Sequence, residues 1–356
     1  MSSGTLDHKC PNCSATLKFN PHGQNWTCEY CRSAFNREEI EAYEAKRGNV
    51  LEETSEEVTL EKDANGMDIY SCPNCGAQIV ADENTTATFC VYCRSTAILK
   101  NKLVGEFNPA YVIPFQNTKE DAIKAFKSIG KGRPFMPKEF SSQKNINEIK
   151  GVYIPFWIYD FHVNGSIEAD AKRVKTWTSG DYQYTKTDTY VVFRDGNMDY
   201  HRIPVDGSTH FADDIMNSIE PFDYKGLEKF SHSYLSGFLA EKYDVESKDA
   251  AVIAQERARN STINTLKSSI GGYTSVVVSR ESHQLEMLKD EYVLLPVWML
   301  NIKYKDKIYP FAMNGQTGKM IGDIPLDKKK AIIWWILILV GTFLVCTVVW
   351  LIGGIL

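Results

Sequence analysis

The chain is poor in the patterns that mark an active site. His162, His201, His210, His232 and His283 show no HExxH or other paired metal spacing, and no GxSxG elbow is present, so neither a metalloprotease ligand set nor a hydrolase nucleophile is recognisable. The run Gly315-Gln316-Thr317-Gly318-Lys319 looks like a phosphate loop, but two residues separate its glycines where four are needed, and Met320 follows the lysine. Asn314-Gly315 reads instead as a hairpin turn. The expectation is a non-enzyme with no small-molecule substrate. Positive charge is also lacking. With 40 Lys+Arg against 45 Asp+Glu, the net charge of -5 argues against a nucleic-acid partner. The opening MSSGTLDHKC has no apolar stretch, so no secretory signal is expected.

What is present is a duplicated cysteine pattern. Cys10, Cys13, Cys28 and Cys31 form CPNC, fourteen residues, then CEYC; Cys72, Cys75, Cys90 and Cys93 form CPNC, fourteen residues, then CVYC. Tyr30-Cys31-Arg32-Ser33 recurs as Tyr92-Cys93-Arg94-Ser95 at the same offset of sixty-two residues. A CxxC pair puts two thiolates on one tight turn, and a second pair returning on a hairpin completes a tetrahedron. Disulfides or a redox CxxC are the competing readings, but neither needs four equally framed pairs in duplicate. Iron suits the same sulfurs, yet this spacing is that of closed structural zinc sites. Two structural Zn2+ ions are therefore expected, each saturated by four thiolates with no position open for water.

The turns carry the residues they need. Pro11 and Pro73 fix the backbone after the first cysteine, and Gly76 follows Cys75 where a positive φ lets amides face the sulfurs. Ser14 holds that place in the first copy, at some conformational cost. Leu17, Phe19 and Ile79 read as strand residues, with Trp26 or Phe89 entering the second knuckle. A unit this small buries too little apolar area to fold alone, so the metal supplies much of its folding energy.

Residues 331–356 contain no charge, and at about 1.5 Å per residue they exceed the roughly 30 Å hydrocarbon core of a bilayer. They are expected to form a single membrane-spanning tail anchor, with Trp334, Trp335 and Trp350 near the interfaces and Cys346 as a small apolar residue. Lys328, Lys329 and Lys330 precede the span, so the positive-inside rule puts the N-terminal bulk in the cytoplasm, where thiols stay reduced.

Between these extremes, residues 38–63 are an acidic run that reads as a short helix and a solvated linker. Tyr111-Val112-Ile113-Pro114-Phe115, Tyr153-Ile154-Pro155-Phe156-Trp157 and Leu294-Leu295-Pro296-Val297-Trp298 each set an apolar run on a proline, marking a strand start, edge or bulge. Alternation at 158–163 and 299–304 predicts half-buried antiparallel strands. Val191-Val192-Phe193-Arg194 reads as a strand turning at Asp195-Gly196-Asn197, and 309–313 as another. Helices are expected over 119–129 and 247–270, the second with a core stripe of Ala250, Ala251, Ile253, Ala254, Ala258, Ile263 and Leu266. The fold class is α+β: a first ribbon (1–37), an acidic linker (38–66), a second ribbon (67–104), a mainly antiparallel cytoplasmic domain (105–326) and the span (331–356).

The two ribbons, the run LLPVWMLNIKYKDKIYPFAMNGQTGKMIGDIP over 294–325 and the C-terminal span together resemble bacterial YdjG-type, TFIIB-type zinc-ribbon membrane proteins. That resemblance covers nearly the whole chain. It implies a membrane-tethered scaffold in envelope stress whose partners are phage-shock protein A and an SPFH-domain, virion-core-like protein. The leading expectation is thus a noncatalytic adaptor that localises cytoplasmic partners at the cell membrane. The alternative is a membrane-tethered nucleic-acid binder using Lys9, Lys18, Arg32, Arg37, Arg94, Lys100 and Lys102, cations partly offset by Asp7, Glu29, Asp82 and Glu83. A third reading is an enzyme whose site gathers residues distant in sequence.

Overall fold

A computed structural model of the chain describes residues 5–46, 68–72, 74–90, 95–99, 107–142, 146, 148–305 and 307–353. Most of the acidic linker, residues 47–67, lies outside them. The N-terminal segment supplies β1 (Thr5–Leu6), β2 (Leu17–Asn20), β3 (Asn25–Cys28), β4 (Ala34–Phe35) and α1 (Arg37–Lys46); the second cysteine segment supplies β5 (Asp68–Ser71), β6 (Gln78–Ala81), β7 (Thr85–Phe89) and β8 (Thr96–Leu99). Then come β9 (Tyr111–Val112), α2 (Lys119–Ile129), β10 (Lys150–Ser179), β11 (Tyr182–Asp206), α3 (Asp213–Ile219), β12 (Glu228–Lys229) and β13 (Leu239–Glu241). The chain continues through α4 (Ser247–Ser268), β14 (Ser275–Tyr304), β15 (Lys307–Asn314), β16 (Met320–Gly322) and α5 (Lys328–Gly353). The fold is α+β, and its sheets are mainly antiparallel.

The main sheet runs β1-β8-β7-β13-β10-β14-β15-β16, with β11 also on β10 and β9 on β14. The second cysteine segment therefore does not sit apart from the large domain. Its strands β7 and β8 continue the same sheet, β7 pairing Ala87 with Ala240 of β13. The first segment docks by its aromatics. Phe19, Trp26 and Tyr234 form a triangle of rings with centroids 5.1 to 5.4 Å apart, and the Trp26 indole donates to the Ser233 carbonyl at 2.7 Å.

At the centre of the sheet, residues 151–159 of β10 and 293–298 of β14 are buried without alternation. One face packs Tyr153, Trp157, Leu294 and Trp298 into the main core; the other packs Ile154, Phe156, Val293 and Leu295 against Met216 and Ile219 of α3. A strand covered on both faces shows a continuous apolar run, which is why the half-buried pattern begins only at Asp160. The prolines sit inside these strands rather than at their starts. Pro155 falls between Tyr153, paired with β13, and Phe156, the first residue paired with β11. Pro296 falls likewise between Leu294, paired with β9, and Val297, paired with β15. Each missing N–H thus coincides with a change of outer neighbour, and each proline carbonyl accepts a glycine amide at 2.8 Å, from Gly207 and Gly315.

Beyond the core, β11, β10 and β14 run on as a three-stranded arm. Gly165 pairs with Gly196, so the expected turn at Asp195-Gly196-Asn197 is continuous strand, and the chain reverses only at Gly180, with φ +62°. At about 3.3 Å per residue, the 30 residues of β10 have a contour length of about 100 Å. Helix α4 lies on one face of the arm and buries Ala250, Ala251, Ala254, Ala258, Thr262 and Leu266. Ile253, expected in that stripe, is exposed. Thr262 faces the strands instead, because a Cβ on Gly165 would come within 2.4 Å of its methyl. Helix α2 spans the residues expected and starts with a capping box between Thr118 and Asp121.

Candidate metal sites

Each cysteine pair is held by a turn with repeated hydrogen bonding. The Ser14 amide donates to the Cys10 carbonyl and the Gly76 amide to the Cys72 carbonyl, both at 2.9 Å; the Cys10 and Cys72 amides donate to Ala15 and Ala77, both at 2.7 Å. The second knuckles repeat the scheme, with the Cys28 amide on the Ser33 carbonyl and the Cys90 amide on the Ser95 carbonyl, both at 2.9 Å. Such a turn requires a left-handed residue after the second cysteine. Gly76 takes it at φ +73°, while Ser14 and Arg32 adopt it at +61° despite their side chains.

These turns converge the sulfurs. The ligand atoms of Cys10, Cys13, Cys28 and Cys31 all lie within 4.8 Å of one another, as do those of Cys72, Cys75 and Cys90. Cys93, the fourth residue expected in the second set, lies outside the described residues, as do Pro73, Tyr92 and Arg94. Cys10 and Cys31 sulfurs are 3.6 Å apart, Cys13 and Cys28 3.5 Å, and Cys75 and Cys90 3.7 Å. A disulfide would need about 2.05 Å. A tetrahedron with metal–sulfur bonds of about 2.3 Å has edges of about 3.8 Å, so the donor set and its spacing suit a metal ion.

The thiols do not ionise alike. The Ser33 hydroxyl and amide pull Cys31 down to about 6. Although the Ala15 amide favours the Cys13 thiolate, burial and the neighbouring Cys28, Cys31 and Cys10 push that thiol up to about 12. Four sulfurs at this distance cannot all carry charge without a cation among them. Ser33 also receives the Asn12 amide at 2.9 Å, and in the second set the Ser95 hydroxyl lies 3.4 Å from the Cys72 sulfur. The sequence repeat displayed both serines; their role appears only when the hairpin returns them to the sulfurs.

Charge around the first site is largely neutralised. Lys9 pairs with Asp7 at 2.7 Å, Lys18 with Glu29 at 2.8 Å and Arg37 with Glu41 at 2.6 Å. Lys9 also donates to Asn74 at 3.2 Å, linking the two cysteine segments directly, and buried His8 contacts Glu44 of α1. Lys100 and Lys102 lie outside the described residues.

At the other end, the 26 residues of α5 rise about 39 Å. This helix is long and apolar enough to cross a membrane, and none of its described residues up to Val349 is buried.

Over 349 residues the sequence is 36% identical to the protein described as uncharacterized protein YdjG of Bacillus subtilis (strain 168), covering 98% of each chain. No protein-family model and no solved structure matches it.

Proposed function

The chain belongs to the YdjG family, and from that premise we propose that it is a noncatalytic, membrane-tethered zinc-ribbon adaptor. Its two cysteine sets would each hold a structural Zn2+: Cys10, Cys13, Cys28 and Cys31 in one, and Cys72, Cys75, Cys90 and Cys93 in the other. Zinc suits four thiolates at tetrahedral spacing, and when bound it replaces the thiol protons and fixes the knuckles. Four sulfurs close the coordination sphere, which leaves a structural role rather than a reactive one. Helix α5 would span the cell membrane, with Lys328, Lys329 and Lys330 holding the N-terminal body in the cytoplasm.

The observation that carries the adaptor reading is the unbroken ladder from the second cysteine segment to the long strands, β8-β7-β13-β10. A metal-stabilised surface built into a sheet this extended is a display platform, and an apolar helix at its base fixes where the display occurs. The family resemblance supplies the partner classes: phage-shock protein A and an SPFH-type, virion-core-like protein in envelope stress. A nucleic-acid role is less well supported, since Lys9, Lys18 and Arg37 are already engaged by carboxylates.

The test is the location of a tagged phage-shock or SPFH partner in cells. Removing residues 331–356 should leave partner binding measurable in solution while the partner loses its membrane localisation. Replacing Cys72 and Cys75 tests the second ribbon as the docking surface. Unchanged partner localisation in cells lacking the whole protein would sink the recruitment reading.

A further inference from the structure

The start of α5 is tied to the body at the segment Phe135–Met136. The Asp327 amide donates to the Phe135 carbonyl at 2.8 Å, the Lys330 ammonium to the Met136 carbonyl at 2.6 Å, and the Phe135 ring meets Trp334 edge-on at 6.4 Å. Two pockets open beside this junction and share Met136 as a wall. One, of about 380 Å³, lies between Arg133, Pro134 and Phe135 on one side and Ile324, Pro325 and Leu326 on the other. The second, of about 320 Å³, lies under Phe126, Lys131 and Phe140. Both are lined mainly by apolar side chains with cations at the rim.

Lys127, Lys131 and Arg133 are exposed, and no ion pair engages them among the described residues. Of the carboxylates nearby, Asp327 accepts the Lys329 amide at 3.0 Å, and the charges of Asp327 and Glu139 act on Lys305. Lys305 belongs to the hairpin between β14 and β15, whose Tyr304 and Tyr309 pack on Phe140 at 5.8 and 5.5 Å. Apolar pockets and exposed cations thus gather where the apolar helix leaves the body.

We propose that this junction binds an anionic phospholipid of the membrane that α5 enters. Lys131 and Arg133, with Lys127, hold the phosphate-bearing headgroup, and the pockets on either side of Met136 take the acyl chains. Arg133 can present two parallel donors to a phosphate, and the lysines add compact charge. A basic rim next to a span is drawn to anionic headgroups. The proposal rests on α5 being a membrane span, because that puts the pockets at headgroup depth.

The test uses the full chain in mild detergent, titrated with dioctanoyl phosphatidylglycerol or dioctanoyl phosphatidylcholine and read by native mass spectrometry. The anionic lipid should be retained about tenfold better than the zwitterionic one. The Lys131→Glu/Arg133→Glu variant should lose that preference while keeping its metal content, which reports that it has folded. Met136→Trp, which fills the shared wall, should lower retention of the anionic lipid with the charges intact. Equal retention of the two lipids, an unaffected charge variant, or glycerol phosphate bound as well as the lipid would each overturn the site. Carbonate washing of cell membranes reads the spanning helix separately: a chain that stays in the membrane but shows no lipid preference refutes the site alone, and a chain that washes off refutes both.

Discussion

Ser14 and Gly76 hold the same left-handed backbone, at φ +61° and +73°, and make the same 2.9 Å bond to the carbonyl of the first cysteine of their clusters. An L-residue there costs about 1 kcal/mol or more, and a Cβ at Gly76 would meet nothing within 4 Å. The difference is therefore one of backbone strain. Ser14→Gly should stabilise the metal-loaded protein by about 0.5–1 kcal/mol, the gain being trimmed by the freer unfolded chain. Gly76→Ser should cost a similar amount. Chemical denaturation with zinc present measures both.

Elemental analysis of protein purified under reducing conditions should return close to two zinc ions per chain. One or none refutes the duplicated site. Cys90→Ser should release one ion, and its effect should spread beyond the ribbon, because β7 ends at Phe89 and is bonded to β13 of the main sheet. The expected signature is a lowered thermal midpoint for the whole body rather than local unfolding alone.

The proposed topology rests on the lysines before α5. Protease added to intact spheroplasts should spare an N-terminal tag, and cutting of that tag in sealed cells would reverse the orientation. A chain ending before residue 331 should remain in the soluble fraction.

Asp206 offers a pH test away from the cysteines. Burial first, then the charge of Asp213, push its carboxyl up to about 6 from the usual value of 3.8. The folded state therefore holds a proton that the unfolded state releases, and the stability tied to it is full below pH 3.8 and lost as pH rises through about 6. Asp206→Asn should be more stable than the parent at pH 7.5 by roughly 1–3 kcal/mol, with the gap closing as the pH falls below 6. Comparing the two proteins at each pH removes the common effect of acid on the thiolates. A gap that does not change with pH would contradict the shift.

The helices over 119–129 and 247–268 and the cysteine sets were readable because their signals are local, whereas α3 was not. Spacing alone puts two sulfurs on a turn, and a capped amphipathic run such as 119–129 needs no distant partner to be recognised. The arm was not readable. Residues such as Lys175, Trp177 and Tyr184 are exposed, so no core imposes an alternating pattern on them, and their strands are held mainly by pairing with each other. Asp195-Gly196-Asn197 carries turn residues, but Gly196 answers a packing demand: it lies opposite Gly165, beneath Leu266 of α4. The burial of both faces at 151–159 likewise depends on α3, which lies far away in sequence. Ser33 and Ser95 were visible as a repeat, yet their contacts with sulfur depend on the hairpin closing.

The long strands also change the scale on which the junction at α5 acts. Their contour of about 100 Å bounds the reach of the arm, so a tilt of about 5° at the base carries the Gly180 turn through at most about 9 Å. The far end holds Trp177 stacked on Tyr184 at 5.6 Å, with Tyr182 exposed beside the turn. Any small rotation of the body against α5 would thereby become a much larger displacement at a tip that ends in aromatic rings.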